Sequence, residues 1–255
     1  MERGMSENVV FGRNAVEEAL RASGRVNRLL VAKGARPEWL DALLDQARAA
    51  GVRFDFVPPA KLARLAHTHE HQGVVAVVSP VEHLSLEQCL AECPKRATLL
   101  ALDGVQNPRN VGMLLRTALG AGVGGVLLPV RGGALLSEEI ARASAGAVLR
   151  VPVVYCGNLP QALRTLQDAG FWAYGLAAGG PRDVFDVSWP DRAVLVVGNE
   201  TKGLRPVVGK ACDALVRIPL AGELDSLNVV VAAGVALFQI AAQRRREAAT
   251  DSEAG

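Results

Sequence analysis

Six largely apolar runs constrain this chain more than any other feature. They fall at 98–103, 125–129, 151–155, 171–176, 193–198 and 214–218. Stretches of helical character at about 109–121, 137–145, 159–169, 205–211 and 227–244 separate and follow them. A strand with one wet face alternates apolar and polar side chains, and these runs do not. Apolar on both sides, they belong to a parallel sheet covered by helices on each face. The pattern predicts an α/β domain over 98–246, with a disordered tail expected at 247–255.

The first 80 residues repeat the alternation on a smaller scale. Helices are expected at Asn14–Arg21, Pro37–Ala50 and Pro59–Ala66, with Pro37 in the first turn of its helix. Strands are expected at Arg28–Val31, Arg53–Val57 and Gly73–Val78. Such a unit reads as a compact α/β sandwich over 9–79. Residues 80–97, with Pro80 and Pro94 near the ends, read as a linker in which Ser85–Ala91 can form a short helix.

Composition excludes more than it assigns. With 28 Lys+Arg against 26 Asp+Glu the formal net charge is only +2, so any nucleic-acid contact must come from local patches. The apolar run Val229–Ala242 is shorter than the roughly 20 residues that span a bilayer. Gly234 and Gln239 also interrupt it. It reads as a core helix whose negative end suits Arg244, Arg245 and Arg246. The four cysteines (Cys89, Cys93, Cys156, Cys212) form no CxxC or disulfide framework and no signal peptide is recognisable, so a cytoplasmic protein is expected.

Two features invite the wrong chemistry. Gly120, Gly122 and Gly125 spell a dinucleotide fingerprint, but that motif needs a strand before it and a helix after it, the reverse of the order here. His67, His69 and His71 suggest a metal, yet no CxxC or HExxH accompanies them. A loop leading into the 73–78 strand accounts for them, and no metal is expected.

Three stretches carry the better signal. The first is Leu102-Asp-Gly-Val-Gln-Asn-Pro-Arg-Asn-Val-Gly-Met-Leu-Leu-Arg-Thr-Ala118. Asn107 is placed to cap a helix begun by Pro108, which puts Asn110 in its first turn. Arg116 then stands about 9 Å further along the axis and off the Asn110 stripe. The second is Val194-Leu-Val-Val-Gly-Asn-Glu-Thr-Lys-Gly-Leu204, a buried strand running into an acidic loop. The third is Val216-Arg-Ile-Pro-Leu-Ala-Gly-Glu-Leu-Asp-Ser-Leu-Asn228, where Ser226 is expected to cap the last helix beside Asp225. All three follow strands, where a doubly wound sheet places its ligand.

In this order the three stretches resemble the motifs of the SpoU-type RNA 2′-O-ribose methyltransferases, over roughly residues 98–244. Phe11-Gly-Arg-Asn-Ala-Val-Glu-Glu-Ala-Leu20 and His71-Gln-Gly-Val-Val-Ala76 are similar to the two ends of the small RNA-binding domain that precedes several of these enzymes. The resemblance implies S-adenosylmethionine as cofactor and methyl transfer to a ribose 2′-hydroxyl of structured RNA. It implies a trefoil knot in the C-terminal domain, a rare topology that no sequence pattern shows. It also implies a catalytic set of Asn110, Arg116, Glu200, Ser226 and Asn228, and cofactor contacts at Gly198, Ile218, Leu220 and Leu227. A free arginine, with pKa above about 12, is a poor base, so orientation and charge stabilisation suit Arg116 better than proton removal.

Within the family the pattern is most like enzymes that modify a guanosine of 23S ribosomal RNA. The alternatives are a transfer-RNA enzyme, which usually lacks the N-terminal domain, and a catalytically silent RNA-binding assembly factor. A homodimer is expected, because the family dimerises and both helices Val111–Leu119 and Val229–Ala242 are apolar almost all round. Two departures from the family pattern are Val230, where serine is frequent, and Arg150, where histidine is common.

Overall fold

The computed structural model describes residues 8–22, 24–34, 37–79, 83–130, 138–221 and 224–253. Linker positions 80–82 and Gly222 of the third motif lie outside the described residues. The chain forms two compact units, one of residues 1–82 and 136–150, the other of residues 83–135 and 151–255.

In the first unit, β1 (Val9–Phe11), α1 (Arg13–Arg21), β2 (Val26–Ala32), α2 (Trp39–Ala49), β3 (Phe54–Val57), α3 (Pro59–Ala66) and β4 (Val74–Val78) follow in order. They build a four-stranded sheet, β1-β4-β2-β3, antiparallel except for the β2–β3 pair. Leu30, Val57, Leu62 and Val75 meet in its core. β1 escapes a reading of the sequence because three residues are too few to show a period. The two sequence signatures of this unit touch: α1 has no side-chain cap of its own at Gly12, and the Arg13 N–H donates instead to Gln72 Oε1 at 2.8 Å. A Cβ on Gly12 would stand 3.2 Å from that oxygen, on a backbone at φ +82°.

The second unit opens with α4 (Leu86–Glu92), held by a reciprocal capping box. Ser85 Oγ accepts from the Gln88 N–H, and Gln88 Oε1 accepts from the Ser85 N–H. Then come β5 (Ala97–Asp103), α5 (Pro108–Gly120) and β6 (Gly125–Pro129). The next elements, α6 (Glu138–Ala143) and a 3-10 turn at Ala147–Leu149, group with the first unit. There a Cβ on Gly146 would collide with Ala15 O at 2.8 Å, which marks how closely this segment lies on α1. Apolar periodicity assigns 137–145 to the second domain, and it cannot see this excursion, because a buried helix has the same pattern in either unit.

The chain resumes with β7 (Val153–Cys156), α7 (Leu159–Asp168), β8 (Trp172–Leu176), β9 (Arg182–Asp183), β10 (Arg192–Gly198), α8 (Pro206–Gly209), β11 (Ala214–Arg217) and α9 (Val229–Glu253). Every pairing in the seven-stranded sheet, β7-β6-β5-β10-β8-β11-β9, is parallel. From β5 the chain first travels to β6 and β7, and later fills the other side from β8 onward. The β5–β10 junction is therefore the switch point at which such sheets hold ligands. One face of the sheet buries Leu99, Leu127, Leu163, Phe171 and Val194 together.

The last helix corrects two expectations. It runs on to Glu253, so positions 247–253 are helical, not disordered. Gln243 Nε2 donates to Glu247 Oε1 at 2.7 Å, and the Thr250 hydroxyl donates to the Arg246 carbonyl at 3.1 Å, within a run rich in alanine. Arg244 consequently sits inside the helix and does not serve its negative end. Half-buried, it donates from Nη2 to the carbonyls of Ala97 at 3.1 Å and Asp191 at 2.9 Å. No helix among the described residues is long and apolar enough to cross a membrane.

Candidate active site

Register builds the site. Gly198 lies opposite Asp103 in the β5–β10 pair, so the turn after β5 and the loop after β10 leave the sheet together. Asp103 is fully buried. Its Oδ1 accepts from Arg205 Nε at 2.6 Å and its Oδ2 from the Arg205 N–H at 2.7 Å. An unpaired carboxylate there would be costly, so Arg205 both balances the charge and clamps the far end of the loop.

Between these anchors the loop closes on itself. Asn199 and Gly203 exchange backbone hydrogen bonds of 3.0 and 2.9 Å. Asn199 Oδ1 accepts from the N–H groups of Thr201 and Lys202, while its Nδ2 donates to the Gly104 carbonyl at 2.9 Å. A Cβ on Gly198 would lie 2.2 Å from the Gly203 carbonyl carbon, so this return of the backbone requires glycine.

Glu200 stands at the tip of that loop. Its Oε1 accepts from Asn110 Nδ2 at 2.9 Å and from the Asn107 N–H at 3.4 Å, and its Oε2 accepts from Asn199 Nδ2 at 3.1 Å. Asn107 Oδ1 in turn accepts from the Arg109 N–H and caps α5, the arrangement expected from the sequence. Asn110, 7 % exposed, and Glu200 thus form one fixed amide–carboxylate pair.

Next to this pair lies a cavity of about 690 Å³, within the range of cofactor sites. Gly198, Ile218, Leu220 and Leu227, the four expected cofactor contacts, all line it, and so do Glu200 and Ser226. Leu176 and Leu215 add apolar wall. Flat apolar walls beside a loop with backbone N–H and C=O groups suit an adenine recognised along its edge. The residues present therefore fit S-adenosylmethionine.

Two expected residues are not drawn in. Arg116 lies exposed on α5 and makes no hydrogen bond or ion pair among the described residues. Asn228 is exposed too, and its Oδ1 accepts from the Val230 N–H at 2.8 Å. Asn228 therefore caps α9, in place of Ser226, because the chain stays non-helical through Ser226 and Leu227. Ser226 is left exposed at the cavity wall.

Sequence reasoning gave no role to Asp103, Asn199 or Arg205. A carboxylate closing the run Thr98-Leu-Leu-Ala-Leu-Asp103 was the available signal, since a buried acid demands a partner. Of the histidines, His71 is nearly buried, and its Nδ1 accepts from the Gly73 N–H at 3.0 Å, shaping the turn before β4. Burial first, and His69 second, lower its pKa. No group of three or more His, Cys, Asp or Glu among the described residues is arranged to hold a metal.

Known proteins share both units. The SpoU rRNA methylase family matches residues 97–238, and the RNA 2′-O ribose methyltransferase substrate-binding family matches residues 9–84. A Staphylococcus aureus TrmH family tRNA/rRNA methyltransferase is 34% identical over 243 residues, 94% of this chain and 98% of its own. The AdoMet-bound rRNA methyltransferase of Sinorhizobium meliloti is 27% identical with a TM-score of 0.73, covering 91% of this chain and 85% of its own. A TrmH/SpoU tRNA-modifying enzyme of A. aeolicus is 28% identical with a TM-score of 0.54, covering 64% of this chain and 82% of its own. Fold, site and likeness together define an S-adenosylmethionine-dependent RNA methyltransferase. More narrowly, the chain belongs to the SpoU rRNA methylase family.

Proposed function

We propose that this enzyme methylates the ribose 2′-hydroxyl of a guanosine in 23S ribosomal RNA. The supporting observation is one of coverage. The tRNA-modifying enzyme from A. aeolicus spans only 64% of this chain, whereas the rRNA methyltransferase from S. meliloti spans 91%. The substrate-binding unit at residues 9–84 is extra equipment that a large, structured RNA would use.

S-adenosylmethionine, when bound, supplies a methyl group already activated on a sulfonium, so the protein's own work is placement and proton handling. Gly198, Ile218, Leu220 and Leu227 would hold its nucleoside end against the cavity wall. Asn110 and Glu200, fixed by their hydrogen bond, would orient the ribose. Ser226 at the cavity wall and Asn228 beside it would bond the substrate side. Arg116 would engage a phosphate and stabilise charge as the 2′-hydroxyl loses its proton.

The same reading includes a homodimer whose active site draws on both chains. Met113, Val231 and Phe238 are 40%, 52% and 45% exposed on α5 and α9, more apolar surface than two ordinary core helices leave uncovered. Arg116, three residues after Met113, lies on the same side of α5 and would join such an interface with it. The trefoil knot and a cytoplasmic location belong to this reading as well, the latter suited by four free cysteines.

The substrate is tested by mapping 2′-O-methylation in RNA from cells lacking the gene. Loss of one methylated guanosine in 23S rRNA is expected. Loss of a tRNA mark with 23S rRNA unchanged would overturn the assignment, and loss of no mark would favour the silent assembly factor.

A further inference from the structure

Besides its aliphatic side chains, the cofactor cavity is lined by two lysines, Lys202 in the loop after β10 and Lys210 at the end of α8. The chain fixes both backbones. The Lys202 N–H donates to Asn199 Oδ1 at 3.1 Å, and the Lys210 N–H donates to the Pro206 carbonyl at 3.0 Å. Their side chains are uncommitted: both residues are exposed, and neither ammonium is hydrogen-bonded or ion-paired among the described residues. The other charged groups of the lining are occupied. Glu200 keeps its charge, but both its oxygens already accept hydrogen bonds, and Arg205 is paired with Asp103. Two ammonium groups are therefore left to meet a ligand.

We propose that Lys202 and Lys210 form the subsite for the carboxylate of the cofactor's methionine end. The inference rests on the reading that seats the nucleoside end against Gly198, Ile218, Leu220 and Leu227. S-adenosylmethionine carries one anion, this carboxylate, and two cations, its sulfonium and its ammonium. Aliphatic walls and backbone groups suit the nucleoside but balance no charge. The carboxylate is thus the one part of the cofactor that the two lysines attract. They repel the sulfonium and the ammonium, so the pairing orients the methionine tail as well as holding it. A lysine is a compact charge with three donors on a flexible stem, which suits a carboxylate that stays in touch with water. An RNA phosphate is the competing anion, and the place of both lysines in the wall of the cofactor cavity favours the carboxylate. Exposed ion pairs are screened, so the contribution is modest and falls with salt. The two lysines also give the enzyme a means to refuse adenosyl compounds that lack the carboxylate.

The test titrates the full-length protein calorimetrically with S-adenosylmethionine and with its decarboxylated form, which keeps the sulfonium and the amine and lacks only the carboxylate. The wild type should bind the decarboxylated compound about fivefold more weakly. Added salt should narrow that difference. The variant Lys202→Gln/Lys210→Gln should bind S-adenosylmethionine about fivefold more weakly than the wild type and should no longer distinguish the two compounds. Its affinity for the decarboxylated compound should equal or exceed that of the wild type, which also shows that the variant is folded. Equal wild-type affinity for the two compounds overturns the subsite while leaving the reading of the cavity standing. Discrimination that survives the double substitution overturns it too, because other groups would then hold the carboxylate. So does an equal loss of both compounds in the variant, since the lysines would then only shape the cavity. Unchanged cofactor binding with weaker binding of a 23S rRNA fragment would give the lysines to the RNA instead. Failure of the wild type to bind either compound overturns the reading of the cavity and the subsite together.

Discussion

The N-termini of α5 and α9 are each capped by an asparagine and yet are built in opposite ways. At α5, Asn107 holds the Arg109 N–H, and around it Asn110, Asn199, Glu200 and Asp103 are joined to their neighbours by hydrogen bonds of 2.6–3.4 Å. At α9, Asn228 holds the Val230 N–H, and Leu224, Asp225, Ser226 and Asn228 are otherwise exposed. The α5 end is finished within the chain. The α9 end offers polar groups that no described part of this chain satisfies.

The largest effect that can break this contrast is on catalysis. Glu200→Ala and Asn228→Ala should each lower methyl transfer by at least about a hundredfold, read as single-turnover rate on substrate RNA. Near-normal turnover in Asn228→Ala would remove the start of α9 from the active site. Stability should then separate the two helix ends. Arg205→Ala strips the buried Asp103 of its partner and should cost about 3 kcal/mol, the low end for such pairs because Arg205 is half exposed. Asn228→Ala removes only a surface cap and should cost about 1 kcal/mol by urea denaturation. Equal losses from the two would contradict a finished and an open half.

The smallest effect concerns the thiols below the sheet. Burial pushes Cys89 and Cys212 up to about 12 and Cys156 up to about 11, against an ordinary value of 9.0. A raised pKa means that the native state holds the proton more tightly. The associated stability is therefore complete below pH 9 and drains away as pH rises towards 11 to 12. At pH 8 iodoacetamide should spare these three cysteines until the protein is denatured. Rapid native labelling of Cys212 would show that the 199–212 segment opens readily.

Much of the fold was legible because its strands are buried on both faces, and uninterrupted apolar runs such as Val194–Gly198 announce that directly. The start of α5 was legible too, since Asn107 followed by Pro108 is a local capping signal. Three things were not. The two-residue β9 is too short to carry a period. Whether Ser226 or Asn228 caps α9 depends on where the chain turns helical, and either side chain can do it. The partnership of Asp103 with Arg205 joins residues 102 positions apart, and only the register of β5 with β10 brings them together.

The central claim is that the open half at α9 is completed by Arg116 from a second copy. It is tested by refolding two inactive variants together, Arg116→Ala and Asn228→Ala, and assaying methyl transfer. With random pairing about half of the dimers are mixed, and each mixed dimer holds one intact composite site. About a quarter of wild-type activity should return. Activity that stays at zero, with mixed dimers verified by mass, would contradict the shared site.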